Sequence, residues 1–212
     1  NIACCDIDQD GVADLCDSGY TPLIKNVETP PTLDDFCGLT YTIDTEAGTG
    51  DGGYYGNGVP ATTAKLYNPM QVALDQENNV YIADYSNHMV RRIDKLTGII
   101  TTVAGKPGPR GYSGDGGPAI AAQVAPICVE AGSDGSLYIA DASMRIRRVG
   151  SDGIITTIAG NGTYGFRGDG GLAKQAEVAP IGMAVAPDGS LYISSSNIYN
   201  DGFTRIRRAG SL

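Results

Sequence analysis

Short apolar stretches rich in Val, Ile, Tyr and Thr recur along most of the chain and are separated by Gly, Asp and Asn. Apolar and polar residues that alternate in this way are typical of half-buried β-strands, and the residues between them favour turns. One representative unit predicts four strands, at residues 70–74, 79–83, 89–94 and 99–103. Segments with a helical period are few, so the pattern predicts an all-β fold.

This unit is repeated along the chain. The sequence YIAD at residues 81–84 recurs 57 residues later and, in the altered form YISS, another 54 residues later. A long period of short strands joined by Gly, Asp and Asn is typical of a β-propeller blade rather than of a helical solenoid. A second sequence, GDGG, aligns in the same way at residues 50–53, 114–117 and 168–171.

The repeated sequence is GDGG, then YIAD, then an arginine-containing strand, then ITTVAG or ITTIAG. It resembles the NHL repeat, in the long glycine-rich version of teneurin-like and bacterial Rhs-type surface proteins. The resemblance covers residues 47–212, and Asn87-His88 retains the Asn-His signature that the later copies lack. It implies a β-propeller whose usual role is binding or architecture.

The number of strands predicts incomplete closure. Residues 39–43 resemble the strand that closes each later repeat, two repeats have four strands, and the third ends after a strand at residues 205–208. The result is three blades in offset register, whereas propellers close with about four to eight blades. We therefore expect residues 39–43 of one molecule to complete the third blade of another by strand addition, giving a dimeric ring or a filament. The alternative is that the chain is a piece of a longer protein that carries the missing blades.

Composition narrows the function classes. The chain of 212 residues is 42% hydrophobic, and no apolar run approaches the roughly 20 residues of a membrane span. Its net charge of −9 argues against a nucleic-acid partner and suits cations better. Residues 1–37 differ in composition from the repeats, so we expect a small N-terminal module followed by blades at residues 38–212.

Residues 4–17 read CCDIDQDGVADLCD and follow the ligand spacing of a calcium loop. Six to eight oxygen atoms suit Ca²⁺, and Gly11 allows the sharp turn that brings these ligands around one ion. The alternative is a solvated acidic turn, in which the carboxylates would repel one another. The stretch resembles the thrombospondin type 3 repeat, which implies an extracellular, calcium-dependent, disulfide-tied module. The predicted ligands are Asp6, Asp8, Asp10, the Val12 carbonyl, Asp14 and Asp17.

Cysteines are concentrated near the N-terminus. Cys4, Cys5, Cys16 and Cys37 favour disulfides and an oxidising compartment. A zinc site is the weaker alternative, because there is no CxxC sequence and the only histidine is far along the chain. Cys128 stands alone in the second repeat, and we expect it to be a buried free thiol.

Candidate sites within the repeats are mostly structural in this interpretation. The aspartates of the GDGG turns are expected to cap backbone N–H groups, and His88 has no partner that would complete a catalytic triad. Aromatic residues in the glycine-rich loops could bind a glycan or partner, or anchor the loops. The predicted structural ion pairs join Asp84 and Asp141 to Arg91, Arg92, Arg147, Arg148, Arg207 and Arg208.

We therefore expect an extracellular, non-enzymatic structural or adhesion protein. The innermost strands offer only Glu130 as a possible metal ligand, which argues against catalysis. Asn161 begins an Asn-Gly-Thr glycosylation sequon in a loop. The alternative function is a propeller fragment of a larger secreted enzyme or toxin, either lyase- or lactonase-like or of the Rhs or teneurin type.

Overall fold

A computed structural model describes residues 42–195 and 204–210. The chain divides into two compact units, Asn1–Asp44 and Thr45–Leu212, and every described strand lies in the second unit. The strands form three antiparallel sheets, which confirms the predicted all-β fold of propeller-type blades. Short 3₁₀ turns occur at Ala61–Thr63, Tyr85–Asn87, Ala119–Ala121 and Ala173–Gln175.

Each sheet is one blade. Neighbouring strands follow one another in chain order, except that the short first strand of the first sheet pairs with the last strand of that sheet. The first blade comprises β1 (Val59–Pro60), β2 (Pro69–Leu74), β3 (Val80–Asp84), β4 (Met89–Ile93) and β5 (Ile99–Gly105). The second comprises β6 (Pro126–Ala131), β7 (Leu137–Asp141), β8 (Arg145–Val149) and β9 (Ile155–Ala159). The third comprises β10 (Pro180–Val185), β11 (Leu191–Ser195) and β12 (Arg205–Ala209).

Proline and aspartate explain where these strands begin and turn. Each innermost strand begins with a proline, and the register shifts just after it, because proline cannot donate a ladder hydrogen bond. The turn into the next strand is closed by an aspartate that accepts the backbone N–H two residues later, at 2.9–3.1 Å. These aspartates are Asp75, Asp134 and Asp188.

The hydrophobic core lies between the blades. Ala83, Val90 and Ala104 of the first blade pack against Val129 and Ile139 of the second. A second cluster joins the opposite face of the second blade to the third and includes Cys128, Tyr138, Ile146, Met183 and Ile193. The second blade thus buries both of its faces against its neighbours, as stacked repeats do.

The predicted strands of the first repeat agree with the observed ones to within two residues at every end. The third blade has three strands in the described part of the chain, as predicted. Most of the predicted strand at residues 39–43 lies outside the described residues. Thr42 and Ile43 are exposed and belong to no strand. No helix among the described residues is long and apolar enough to cross a membrane.

Candidate functional site

A buried arginine in the third strand of the second blade holds the glycine-rich loop against that blade. Arg147 has a fully buried side chain, and its Nε and Nη2 atoms donate to Asp115 Oδ1 at 3.0 and 2.6 Å. It also donates to the carbonyls of Ser113 and Gln123 at 3.2 and 3.4 Å. One guanidinium therefore joins both arms of the loop that connects the first two blades.

The environment of Asp115 stabilises its charged form. Burial by itself would raise the pKa of this carboxyl group, but hydrogen bonds from Thr157 and Tyr112 and the charge of Arg147 outweigh that effect and lower the pKa. The Tyr112 ring also lies under the guanidinium groups of Arg145 and Arg147, at 3.8 and 4.6 Å from its centroid. This loop aromatic therefore anchors the loop, which was one of the two roles expected for it.

The third blade repeats this arrangement. Arg207 Nη2 lies 2.6 Å from Asp169 Oδ1, and Arg205 Nη1 lies 3.7 Å from Asp169 Oδ2. Arg207 also donates to the carbonyl of Glu177, and Arg205 lies over the ring of Phe166. The second and third blades thus share one set of contacts, in which an arginine pairs with a loop aspartate and a loop aromatic lies against an arginine.

The first blade corrects the sequence alignment of the GDGG turns. Gly58 donates to the Ile100 carbonyl at 2.8 Å, just as Gly116 donates to the Ile155 carbonyl at 2.8 Å. The structural counterpart of GDGG at residues 114–117 is therefore GNGV at residues 56–59, and the GDGG at residues 50–53 precedes it. An alignment anchored on the following Pro-Ala would have found this register.

Asn57 therefore occupies the aspartate position in the first blade. Its Oδ1 atom accepts the backbone N–H of Thr102 at 2.7 Å. Asp51, which the sequence placed there, instead pairs with Lys65 at 3.1 Å on the surface. The extra residues between Asp51 and the turn at residues 56–59 made the sequence alignment miss that Asn57, a neutral residue, takes the place of the aspartate.

Because Asn57 is neutral, Arg91 has fewer hydrogen bonds and a more distant carboxylate than Arg147 has. Arg91 is fully buried, and its nearest carboxylate is Asp84, with 3.8 Å between Nη1 and Oδ2. Its Nη2 atom donates to the Gly56 carbonyl, but Nε and Nη1 have no hydrogen-bond partner in the described chain. Burial lowers the pKa of Arg91 and raises the pKa of Asp84.

Three aspartates have roles opposite to those predicted. Asp115 and Asp169 were expected to cap backbone N–H groups, but they pair with arginines. Asp141 was expected to pair with an arginine, but it accepts the N–H groups of Ala125 and Ser143 at 3.2 and 2.8 Å. Asp84 does both, since it caps Tyr67 at 2.8 Å and lies near Arg91. Buried carboxylates commonly accept backbone N–H groups in this way.

The innermost strands carry few reactive groups. Burial raises the pKa of Glu130, whose Oε1 atom accepts a hydrogen bond from Gln71 at 3.5 Å. Cys128 is a buried free thiol, and burial followed by the charge of Glu130 raises its pKa to about 11. His88 lies in a left-handed turn with Nδ1 2.9 Å from the Gly108 carbonyl. These contacts give none of them a partner suited to activate it as an acid, base or nucleophile.

The predicted calcium ligands and the four N-terminal cysteines lie outside the described residues. Within the described ranges, no group of three or more His, Cys, Asp or Glu side chains could hold a metal ion. Asn161 is exposed, and its Nδ2 atom donates to the Gln175 carbonyl at 3.1 Å. Calcium, disulfides and glycosylation therefore stay predictions from the sequence.

The two ends of the blade array expose surfaces that are buried between blades elsewhere. Val72 pairs with Ile82 as Val129 pairs with Ile139, yet Val72 is 59% exposed and Val129 is fully buried. At the other end, Ile206 is 71% exposed, whereas its counterpart Ile146 is fully buried. Each end therefore offers an apolar face of the kind that already packs between neighbouring blades.

The third blade also has a groove at its outer edge. We call it the fourth-strand groove; it lies between β12 and the glycine-rich loop at residues 168–176 and has a volume of about 1000 Å³. Ile206, Leu172, Val178 and Ala209 are among its lining residues. The corresponding place is filled by β5 in the first blade and by β9 in the second. This groove and the two apolar faces are the most distinctive surfaces of the described chain.

No protein-family model and no curated protein sequence matches the chain. A solved structural-genomics protein of unknown function from Bacteroides thetaiotaomicron is similar to it, with 22% identity, a TM-score of 0.50 and coverage of 56% of this chain and 30% of that one. Virginiamycin B lyase from Staphylococcus aureus shows 19% identity and a TM-score of 0.39 over 68% of this chain and 41% of that one. A gluconolactonase from Xanthomonas campestris shows 11% identity and a TM-score of 0.46 over 67% and 43%.

These similarities extend to the fold alone. The chain spans less than half the length of each of the three structures. Their activities therefore carry no information on the chemistry of this chain.

Proposed function

We propose that the chain is an extracellular, non-enzymatic structural or adhesion protein built from NHL-type blades, and that its blade array assembles with a second copy. The observation that carries this proposal is the pair of uncovered ends. One end presents the apolar face around Val72, and the other presents the face around Ile206 together with the fourth-strand groove. Such faces are buried wherever two blades meet within the chain.

Two copies suit these ends better than one. Three blades fall short of the roughly four that the smallest propellers need, whereas two sets of three would complete a six-bladed ring. In that ring the Val72 face of each copy covers the Ile206 face of the other, so the contact is closed and two-fold symmetric. The same pair of faces joined without closure would build a filament, which is the second form of assembly that we propose.

Calcium and disulfides would stabilise the N-terminal module in this proposal. The ligand set Asp6, Asp8, Asp10, Val12, Asp14 and Asp17 would hold one Ca²⁺, and Cys4, Cys5, Cys16 and Cys37 would form disulfides. Both features, and a glycan at Asn161, suit an extracellular location. Partner binding through the exposed loop aromatics is compatible with this role.

The mass of the protein in solution tests the proposal. Light scattering coupled to gel filtration, with calcium present and over a range of concentrations, should give twice the chain mass of 22.0 kDa, or a larger and concentration-dependent mass for a filament. A constant mass of one chain at concentrations up to about 100 μM would overturn it, because any association would then be weaker than a typical specific contact.

One observation favours a second candidate function. Because the chain covers only 30–43% of the structures that it resembles, it could supply three blades of a larger secreted enzyme or toxin, either lyase- or lactonase-like or of the Rhs or teneurin type. The mass of the native protein isolated from its source distinguishes the two. A chain much heavier than 22.0 kDa would favour the larger protein.

A further inference from the structure

The fourth-strand groove carries the hydrogen-bonding groups that hold an outer strand in the second blade. There, Gly116 donates its N–H to the Ile155 carbonyl at 2.8 Å, and the Ile155 N–H donates to the Gly117 carbonyl at 3.0 Å. Gly170 and Gly171 take these positions in the third blade. The N–H of Gly170 and the carbonyl of Gly171 have no partner among the described residues. The groove is thus preformed to accept an extended backbone.

The strand that belongs in such a groove has a defined pattern. In β9, Ile155, Thr157 and Ala159 are buried, while the residues between them are less so, and Gly160 follows with φ of 89°. The large apolar residue fills the space between the blade and the loop, and the threonine hydroxyl reaches the loop aspartate. An occupant therefore needs the sequence Ile-x-Thr-x-Ala-Gly.

Besides residues 100–105 and 155–160, which form outer strands, the chain contains this sequence ahead of the first blade. Residues 43–48 read IDTEAG, with Ile43, Thr45, Ala47 and Gly48 at the four required positions. Gly48 has φ of 94° and donates to the Ala61 carbonyl at 3.0 Å. Gly160 likewise donates to Ala173, the counterpart of Ala61, at 2.9 Å.

The position of Gly48 fixes the register of the preceding residues. Because Gly48 corresponds to Gly160, residue 43 corresponds to Ile155 without any insertion. This register revises the strand predicted at residues 39–43, which needed three extra residues before Ala47-Gly48. Ile43 is 98% exposed, so the segment presents its largest apolar side chain to solvent.

We propose that residues 42–48 of one molecule occupy the fourth-strand groove of a second molecule as the missing outer strand of its third blade. The ladder of the second blade predicts the pairing, because Val149 faces Ile155 and Arg147 faces Thr157. By correspondence, Ile43 lies opposite Ala209 and Thr45 lies opposite Arg207 of the second molecule. The Thr45 hydroxyl then reaches Asp169, as the Thr157 hydroxyl reaches Asp115.

Geometry places the donor segment on a second copy. Gly48 is held on the first blade through Ala61, whereas the groove lies on the third blade, and the second blade stands between them. The three described blades do not close into a ring by themselves. Two copies that exchange the segment reciprocally complete both third blades, so this inference rests on the assembly proposed above and names the contact that drives it.

Charge distinguishes this segment from the strands that fill the other two blades. Asp44 takes the position of Thr156, which faces Arg148, so Asp44 lies opposite Arg208. The edge of the groove carries Arg205, Arg207 and Arg208, with Asp169 and Asp188 as their present partners. Exposed pairs of this kind contribute little to affinity, so they set register and salt dependence instead.

A substitution at Ile43 tests the donor segment in the whole protein. Ile43→Asp changes a side chain that is almost fully exposed in the single molecule, so its own blades should keep their stability. The substitution places a charge at a buried position of the strand. We therefore expect the dissociation constant of the dimer, measured by sedimentation velocity, to rise by about 100-fold. Thr40→Asp is the matched control. Residue 40 lies outside the proposed strand at residues 42–48, but it would be buried if residues 39–43 formed the strand instead. It should leave the dissociation constant within about threefold.

Cross-linking between two variants tests the pairing and whether it occurs between molecules. Ile43→Cys and Ala209→Cys are made in separate proteins and mixed under mild oxidation. The inference predicts a disulfide-linked pair in the mixture, reversed by reductant, and none from a mixture in which Thr40→Cys replaces Ile43→Cys. A link that forms only when both cysteines are in one chain would place the strand within its own molecule and overturn the proposal.

The outcomes separate this inference from the proposed function. If the protein dimerises, but Ile43→Asp has no effect and no cross-link forms, the strand exchange is wrong and assembly through the apolar faces stands. If Thr40→Asp weakens the dimer and Ile43→Asp does not, the strand lies at residues 39–43, as the sequence predicted, and not at residues 42–48. If the protein is a monomer at all concentrations, both proposals fail.

Discussion

Replacement of Asp115 by asparagine tests the loop anchor of the second blade. Asp115→Asn keeps the shape of the side chain and one hydrogen-bond acceptor for Arg147, but it removes the negative charge facing a fully buried guanidinium. A charge-assisted hydrogen bond contributes about 1.5–3 kcal/mol. Because the Asp115 side chain is 36% exposed, solvent screening favours the lower part of that range, about 1.5–2 kcal/mol.

Thermal and urea unfolding followed by circular dichroism would measure this loss. For a domain of this size, about 1.5–2 kcal/mol corresponds to a fall in Tm of about 3–8 °C. Asp51→Asn is the matched control, because Asp51 stands in a GDGG sequence but pairs only with the half-exposed Lys65. We expect the control to change the unfolding free energy by less than about 0.5 kcal/mol. Equal effects of the two substitutions would refute the assignment of the anchor.

The pH dependence provides a second test of the same residue. The pKa of Asp115 in the folded protein lies below its ordinary value of 3.8. Its contribution is therefore fully present above that value and is lost as the pH falls through the folded pKa. The stability difference between the wild type and Asp115→Asn should be constant at neutral pH and shrink below about pH 4. A difference that grows on acidification would contradict the sign of this shift.

Four further predictions follow from other features of the structure. Asn57→Asp should stabilise the protein by about 1 kcal/mol, since it offers Arg91 the carboxylate that Arg147 has, and Arg91→Met should abolish the gain in unfolding measurements. Burial raises the pKa of Glu130 above 4.5, so this carboxyl group costs stability as the pH rises through that range; Glu130→Gln should be more stable at pH 7 but not at pH 4. Thiol titration without reductant should find no reactive group in the native protein and one, Cys128, after denaturation, if the other four cysteines form disulfides. Calcium chelation should expose the first 40 residues to protease and spare the blades, and equal digestion with and without chelator would contradict the calcium site.

The sequence alone was sufficient for the strands and their order. Alternation of apolar and polar residues is a local property, so the strands of the first repeat were located to within two residues. The aspartates that close the hairpin turns, such as Asp75, act within a few residues of their own position. The three strands of the third blade in the described part of the chain also followed from the repeat alignment, because each blade is one unit of the sequence.

Only the tertiary structure decided the partners of the charged residues. Arg147 lies 32 residues from Asp115 and only six from Asp141, so sequence proximity favoured the wrong carboxylate. The loop returns over the third strand of the blade and brings Asp115 to the guanidinium, while Asp141 is turned toward backbone N–H groups. Electrostatic pairing depends on distance in space, which the repeat pattern does not contain.

The same distinction applies to the glycine-rich turns and the donor segment. Two GDGG-like sequences precede the first blade, and identity of letters selected residues 50–53, whereas hydrogen bonds to the outer strand select residues 56–59. Likewise, the resemblance of residues 39–43 to an outer strand needed three extra residues before Ala47-Gly48, whereas the register that we propose for residues 42–48, from the hydrogen bond of Gly48 to Ala61, needs none. The sequence determined which residues form strands and turns, because those preferences are local. The register between distant segments was decided by the backbone hydrogen bonds and packing that form only when the blades assemble.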